Sequence, residues 1–236
     1  MKGILAGMRI VEASAFVAAP LGGMTLAQLG ADVIRIDAVG GGLDYRRWPV
    51  TDDNTSLFWA GLNKSKRSVT INFRSPEGSE LARRIITAPG EDAGMLLTNF
   101  PPRGWLSFEE LRQQRPDLIQ LTIQGDRHGG SAVDYTVNAA TGFPLVTGPA
   151  DHLGPVNHVM PAWDVSCGLY AALAVLAALR RRDATGLGGA IRLPLDDVAL
   201  ATAANLGFLT EVMVSGRQRP RLGNAVFGQY GQDFAS

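Results

Sequence analysis

Cysteine is almost missing from this chain. Cys167 is the sole one in 236 residues, so an intramolecular disulfide and a cysteine-built metal site are both excluded. That usage fits a reducing cytoplasm. Excess charge is also missing: 22 basic side chains balance 22 acidic ones with no block of either sign, which removes the electrostatic reason to expect nucleic acid or an anionic membrane as partner. Long apolar runs are lacking too. The longest, Leu169 to Leu179, has eleven residues against the roughly 20 that span a bilayer, and Arg9 and Glu12 interrupt the N-terminus too early for a signal peptide. The chain is expected to be neither secreted nor membrane-spanning. No G-x-x-x-x-G-K-[ST] phosphate loop, H-E-x-x-H zinc helix or G-x-S-x-G nucleophile elbow occurs. No metal is expected.

What is present is 46% hydrophobic residues in a pattern of alternating strands and helices. Met8 to Glu12 and Asp32 to Asp37 read as strands around a helix from Pro20 to Leu29 that Gly30 closes. Ser68 to Phe73 alternates as a strand. A helix follows it, capped by Ser75, with Pro76 in its first turn and Leu81, Ile85 and Ile86 facing inward. Met95 to Leu97 and Leu118 to Ile123 read as further strands. Between them Ser107-Phe-Glu-Glu110 has the spacing of a capping box and Pro116 ends the helix. A long helix is expected from Asp164 to Arg182, its three terminal arginines suiting the negative end of the helix dipole. Ala190 to Leu195 reads as a strand, although Pro194 suits only an edge, and one helix is expected from Asp197 to Val214. This order predicts an open α/β fold with a mostly parallel sheet and helices on both faces.

Several candidate sites have competing readings. The strand that ends at Asp37 invites dinucleotide binding, but Ala13 to Pro20 lacks the glycines that let backbone approach a pyrophosphate. Gly40-Gly-Gly42, followed by Asp44, Arg46 and Arg47, reads either as a phosphate cradle or as a turn beside a solvated basic face. The three histidines, His128, His152 and His158, fall in loop-like sequence and read as solvated or locally hydrogen-bonded, and Cys167 reads as a buried packer. Asp164 opens a helix, where a carboxylate is ordinarily a cap. The same location also serves chemistry, since the helix dipole favours an ionised, nucleophilic carboxylate.

Seven ordered segments decide between these readings by resemblance: Gly7 to Glu12, Leu29 to Asp37, Asn63 to Ser68, Thr98 to Pro101, Val133-Asp-Tyr135 through Gly142, Pro161-Ala-Trp-Asp164 and Arg221 to Asn224. Together they resemble the class III CoA-transferase family, which includes α-methylacyl-CoA racemases and carnitine CoA-transferases. The resemblance implies the large domain of that fold over residues 1–215, coenzyme A as the cofactor-like substrate, an acyl-CoA thioester and a carboxylic acid as partners, and an interlocked homodimer. It places the catalytic aspartate on Asp164, whose carboxylate would attack the thioester to give an aspartyl acyl anhydride. It also places Asn63, Lys64, Lys66, Asn99, Phe100 and Arg103 in the CoA cleft, with Asp134 and Tyr135 near the thioester.

Four further stretches, Ser14 to Gln28, Gly40 to Pro49, Ser56 to Asn63 and Val156 to Asp164, resemble a branch that moves CoA between the two carboxylates of one dicarboxylic acid. In that reading Asn157 and His158 would bind the free carboxylate. The racemase branch carries a histidine where this chain has Val133, so racemisation would need another base, such as His128. Family members run to roughly 400 residues with a second small domain, beyond one typical domain length. Residues 216–236 are therefore expected to be a linker toward a C-terminal part that is missing. An intermolecular transferase, a racemase and a CoA-binding module without turnover remain as alternatives.

Overall fold

A computed structural model describes residues 3–223. They form two compact units: the described parts of Met1–Gln124 with Val165–Leu193, and of Gly125–Asp164 with Pro194–Ser236. The first unit carries β1 (Arg9–Ala13), α1 (Ala18–Gln28), β2 (Asp32–Ala38), α2 (Leu57–Leu62), β3 (Arg67–Ile71), α3 (Pro76–Thr87), β4 (Met95–Thr98), a 3-10 turn at Gly104–Leu106, α4 (Phe108–Gln114) and β5 (Ile119–Gln124). The second unit carries α5 (Asp134–Thr141) and α6 (Phe143–Val146). The chain continues with α7 (Ala162–Thr185), β6 (Gly189–Pro194), α8 (Leu195–Asn205) and α9 (Phe208–Ser215).

The strands run in the order β3-β2-β1-β4-β5-β6, and every pairing from β3 to β5 is parallel. Chain order reverses between β1 and β4, and right-handed crossovers on either side of that point place helices on opposite faces. Alternation along β1 shows both faces in use. Val11 and Ala13 join Ala82, Ile86 and Leu111 in one apolar cluster, while Glu12 points at Gly23 of α1. Ile10, Leu97 and Leu121 are fully buried, each contributing roughly 1.5–3 kcal/mol. On the α1 side the backbones of α1 and α7 nearly touch. A Cβ at Gly168 would lie 2.6 Å from the Ala18 carbonyl oxygen, so only glycine fits there.

The sequence located every strand of the described residues, and β6 lies at the sheet edge, where proline is tolerated. Ser75 caps α3 by accepting the Gly78 N–H. Other expectations are corrected. Leu81 is exposed, and Ala82 takes the inward position between it and Ile86. Ser107 precedes α4 but its hydroxyl makes no cap bond, and Glu110 instead meets Arg83 across to α3. The helix expected from Asp197 to Val214 is two helices bent by 59°, because Gly207 between them takes φ +82° and ends the first.

Arg182 does not stay at its own helix end. It is buried and donates to the carbonyls of Ala93 and Glu91, with burial holding its pKa below the usual arginine value. Helix α7 also has the length and composition to cross a bilayer, which the eleven-residue apolar run did not suggest. One stripe of it, Cys167, Ala171, Ala172 and Val175, is buried, and Leu169, Tyr170 and Leu173 are exposed. The linker expected at 216–236 is described only to Gly223, and Asn224 of the last resembling segment lies outside the described residues.

Candidate active site

At the switch between β1 and β4 the first unit gathers its chain ends. In open α/β sheets the carboxyl ends of strands beside such a switch form the usual ligand crevice. Asn99, just past β4, accepts the Ala15 N–H at 3.0 Å and donates to the Ala15 carbonyl at 2.8 Å, tying the two strand ends together. Phe100 lines an open depression with Ile36, Gly41, Leu43 and Phe73, at the carboxyl ends of β2 to β4. Arg103 and Lys64 are exposed.

Beneath these ends lies a cluster of charge withdrawn from water. Arg35 has a fully buried side chain and meets Glu12 at 3.2 Å, Asp37 at 2.8 Å and Asp44 at 3.2 Å. Burial works against its charge, but the hydrogen bond to Asp37 and the neighbouring carboxylates outweigh it and raise its pKa. The Lys66 ammonium contacts Glu12, the Pro20 carbonyl and the Asn63 side-chain oxygen, all within 2.9 Å. Its three donors are thereby matched by protein acceptors, and burial holds its pKa below the usual lysine range. Lys66 and Asn63 are bonded to each other, and Asn63 also donates to the Trp59 carbonyl at 2.8 Å.

Asp44 explains the glycine run. The turn at Gly40 to Gly42 folds Asp44 inward, where its second oxygen accepts the Phe16 N–H at 2.9 Å. Phe16 sits at φ +69°, a left-handed conformation that costs a bulky residue on the order of 1 kcal/mol, and Arg47 lies 5.5 Å from its ring. The phosphate-cradle reading of Gly40 to Gly42 is thus replaced by a structural one.

The second unit holds the other candidate residues. Helix α5 presents Asp134, Val137 and Asn138 on one buried face, since positions i, i+3 and i+4 align on a helix. One oxygen of Asp134 accepts the backbone N–H groups of Trp163 at 2.8 Å and Asp164 at 3.1 Å, the opening residues of α7. The capping role that the sequence offered to Asp164 is therefore filled, for these two donors, by Asp134. Asp164 itself stands in the first helical turn. The other Asp134 oxygen lies 2.5 Å from His158 Nε2. Asn138 accepts the Trp163 indole N–H at 3.0 Å and donates to Asn157 at 2.7 Å. Tyr135 is half exposed, and its ring meets that of His158 edge-on at 5.8 Å.

Asp134, Tyr135 and Asp164 are thus brought together, while Asn63, Lys66, Asn99, Phe100 and Arg103 belong to the first unit. One participant was missed, Asn138, which fixes Trp163. His158, read from its loop as solvated or locally hydrogen-bonded and by resemblance as a binder of the free carboxylate, is bound to the buried Asp134 carboxylate. The signal for Asn138 was its spacing of four from Asp134. The imidazole beside Asp134 is His158, whereas His128 is exposed in the loop that the Asp126 carboxylate closes. Among the described residues no three His, Cys, Asp or Glu side chains are grouped as metal ligands.

These arrangements occur in a chain with extensive relatives. The chain is 59% identical over 235 residues to 2-methylfumaryl-CoA isomerase of Chloroflexus aurantiacus, covering 99% of this chain and 58% of the isomerase. It is 33% identical to the succinate–glutarate CoA-transferase of Agrobacterium fabrum over 94% of this chain and 58% of that enzyme. A CAIB/BAIF family protein from Brucella suis superposes with a TM-score of 0.84 at 31% identity, covering 95% of this chain and 61% of that one. The chain therefore spans somewhat over half the length of these relatives. The profile of CoA-transferase family III matches residues 5–233, and the chain belongs to that family.

Proposed function

We propose that this chain is the CoA-binding and nucleophile-bearing part of an intramolecular CoA transferase that moves CoA between the two carboxylates of 2-methylfumaric (mesaconic) acid. The observation that carries the reading is the 59% identity to an isomerase of that substrate, continuous over 99% of the chain. In this reading Asp164 attacks the thioester carbonyl, giving a mixed anhydride and CoA thiolate. The thiolate attacks the aspartyl carbonyl and frees the dicarboxylate. The second carboxylate then attacks the aspartyl-CoA thioester, and the released thiolate takes up the new acyl group and regenerates Asp164. Covalent relay divides one difficult exchange into smaller steps, and holding donor and acceptor in one molecule supplies proximity.

The supporting geometry is the start of α7, whose dipole favours a carboxylate at Asp164. In the first unit Asn99, Phe100, Lys64 and Arg103 are assigned to CoA, with Asn63 and Lys66 holding the wall behind them. Residues 1–215 would serve as the large domain of a cytoplasmic homodimer.

Incubation of the protein with 2-methylfumaryl-CoA, with and without added free acids, tests this. Isomerisation independent of added acid is the expected result. Exchange that requires an added acid supports an intermolecular transferase, the activity printed for the Agrobacterium relative. Solvent deuterium entering the α-carbon of a saturated 2-methylacyl-CoA offered in parallel supports proton abstraction, for which His158 beside Asp134 is the candidate base. Binding of CoA without turnover of any thioester would leave only a binding module.

A further inference from the structure

His158 is held more firmly than a surface loop histidine needs to be. Its Nε2 rests on Asp134, which is 2% exposed, and its ring is bounded by Tyr135 at 5.8 Å and Trp163 at 6.3 Å. The same Asp134 carboxylate binds the backbone N–H of Asp164. One buried anchor therefore fixes the imidazole and the proposed nucleophile relative to each other. Yet the His158 side chain keeps 22% of its surface exposed.

Three arginines of this unit are occupied. Arg127 pairs with Asp197 and Arg219 with Glu211, while Arg221 donates to the carbonyls of Pro144, Leu145, His152 and Gly154. Arg217 lies in the exposed stretch after α9. With Nε2 taken by Asp134, Nδ1 is the ring nitrogen left to donate to a second partner. A carboxylate is the partner such a donor suits best.

We propose that His158 is the specificity-determining residue for the distal carboxylate of a dicarboxylic acyl-CoA, receiving whichever carboxylate is not at Asp164. This rests on the reading of Asp164 given under Proposed function. The bond is not part of the covalent exchange. At Asp164 the incoming carboxylate oxygen forms the C–O bond of the anhydride as the C–S bond breaks and CoA thiolate leaves with its electron pair. His158 holds the opposite end of the acid and transfers no proton.

The test compares two thioesters, 2-methylfumaryl-CoA and (E)-2-methylcrotonyl-CoA (tigloyl-CoA), in which a methyl group replaces the distal carboxylate. Hydroxylamine-dependent CoA release reports attack by Asp164 on either one. In H158Q and H158F, the latter keeping a ring against Tyr135 and Trp163, the preference for the dicarboxylic thioester in kcat/KM is expected to fall about 10- to 100-fold, with melting temperature and affinity for free CoA unchanged. Equal losses on both thioesters would make His158 merely structural and overturn the proposal. So would an H158F protein that keeps the full preference. If the unsubstituted protein releases CoA from neither thioester, the reading of Asp164 fails instead, which is a separate result.

Discussion

Glu12 and Asp134 are both carboxylates withdrawn from water, and they are compensated by different means. Glu12 meets two cations, Arg35 and Lys66, whose remaining donors are taken up by Asp37, Asp44, Asn63 and backbone carbonyls. Asp134 meets the N-terminal amides of α7 and one imidazole that still reaches the surface. In the first cluster the charges compensate one another inside the fold, with the second Glu12 oxygen held only by the Lys66 ion pair at 2.8 Å. The second keeps one partner, His158, with 22% of its side chain exposed. Buried charge alone therefore does not mark function; what matters is whether a member of the network retains an unsatisfied direction.

The largest expected effect separates the two regions. Asp164→Asn should lower turnover by a factor on the order of 10⁴ or more, as loss of a covalent nucleophile does elsewhere, while leaving the unfolding midpoint nearly unchanged. Turnover that survives within tenfold would remove Asp164 from the chemistry.

Arg35→Met should do the reverse. It leaves Glu12, Asp37 and Asp44 without their common cation and should destabilise the fold by about 3–5 kcal/mol in urea unfolding. A stability loss below about 1 kcal/mol would mean that the cluster does not hold the fold.

Asp134→Ala tests the site network at smaller amplitude. It unpairs the Trp163 and Asp164 N–H groups, a capping loss of about 0.5–2 kcal/mol. It also frees His158, so isomerisation should fall more than stability does. Equal falls, compared by kcat/KM and melting, would make Asp134 merely structural.

The smallest effect concerns pH. Burial holds the Lys66 ammonium below the usual lysine range, so the folded protein gives up that proton before the unfolded chain does. Between the two values the unfolded chain binds more protons, and stability due to Lys66 rises with pH until about 10.4. The cost of burying its charge is fully present below the folded value. The stability of the unsubstituted protein relative to Lys66→Met should therefore increase from pH 8 to 11; a difference that declines with pH contradicts the assignment.

Much of the fold could be read directly. Period-two and apolar runs marked the six strands of the described residues, and Ser75-Pro76 marked the start of α3, because these signals act within a few residues. The helix ends were harder. Gly207 looked like one glycine inside a helical pattern, yet its left-handed backbone breaks α8 from α9. Ser107 and Glu110 had capping-box spacing, but Arg83 competes for Glu110 from 27 residues away.

The sequence by itself determined the α/β order, the family resemblance and the place of Asp164 at the opening of a helix, since each depends on residue type and local spacing. Only the tertiary structure decided that Asp134 caps that helix, that His158 rather than His128 stands beside Asp134, and that Lys66 is bonded to Glu12. Those roles depend on which groups are brought within 3.1 Å of one another from 24, 30 and 54 residues apart along the chain. Spacing cannot express such pairings, because burial selects among all the polar groups that compete for each partner.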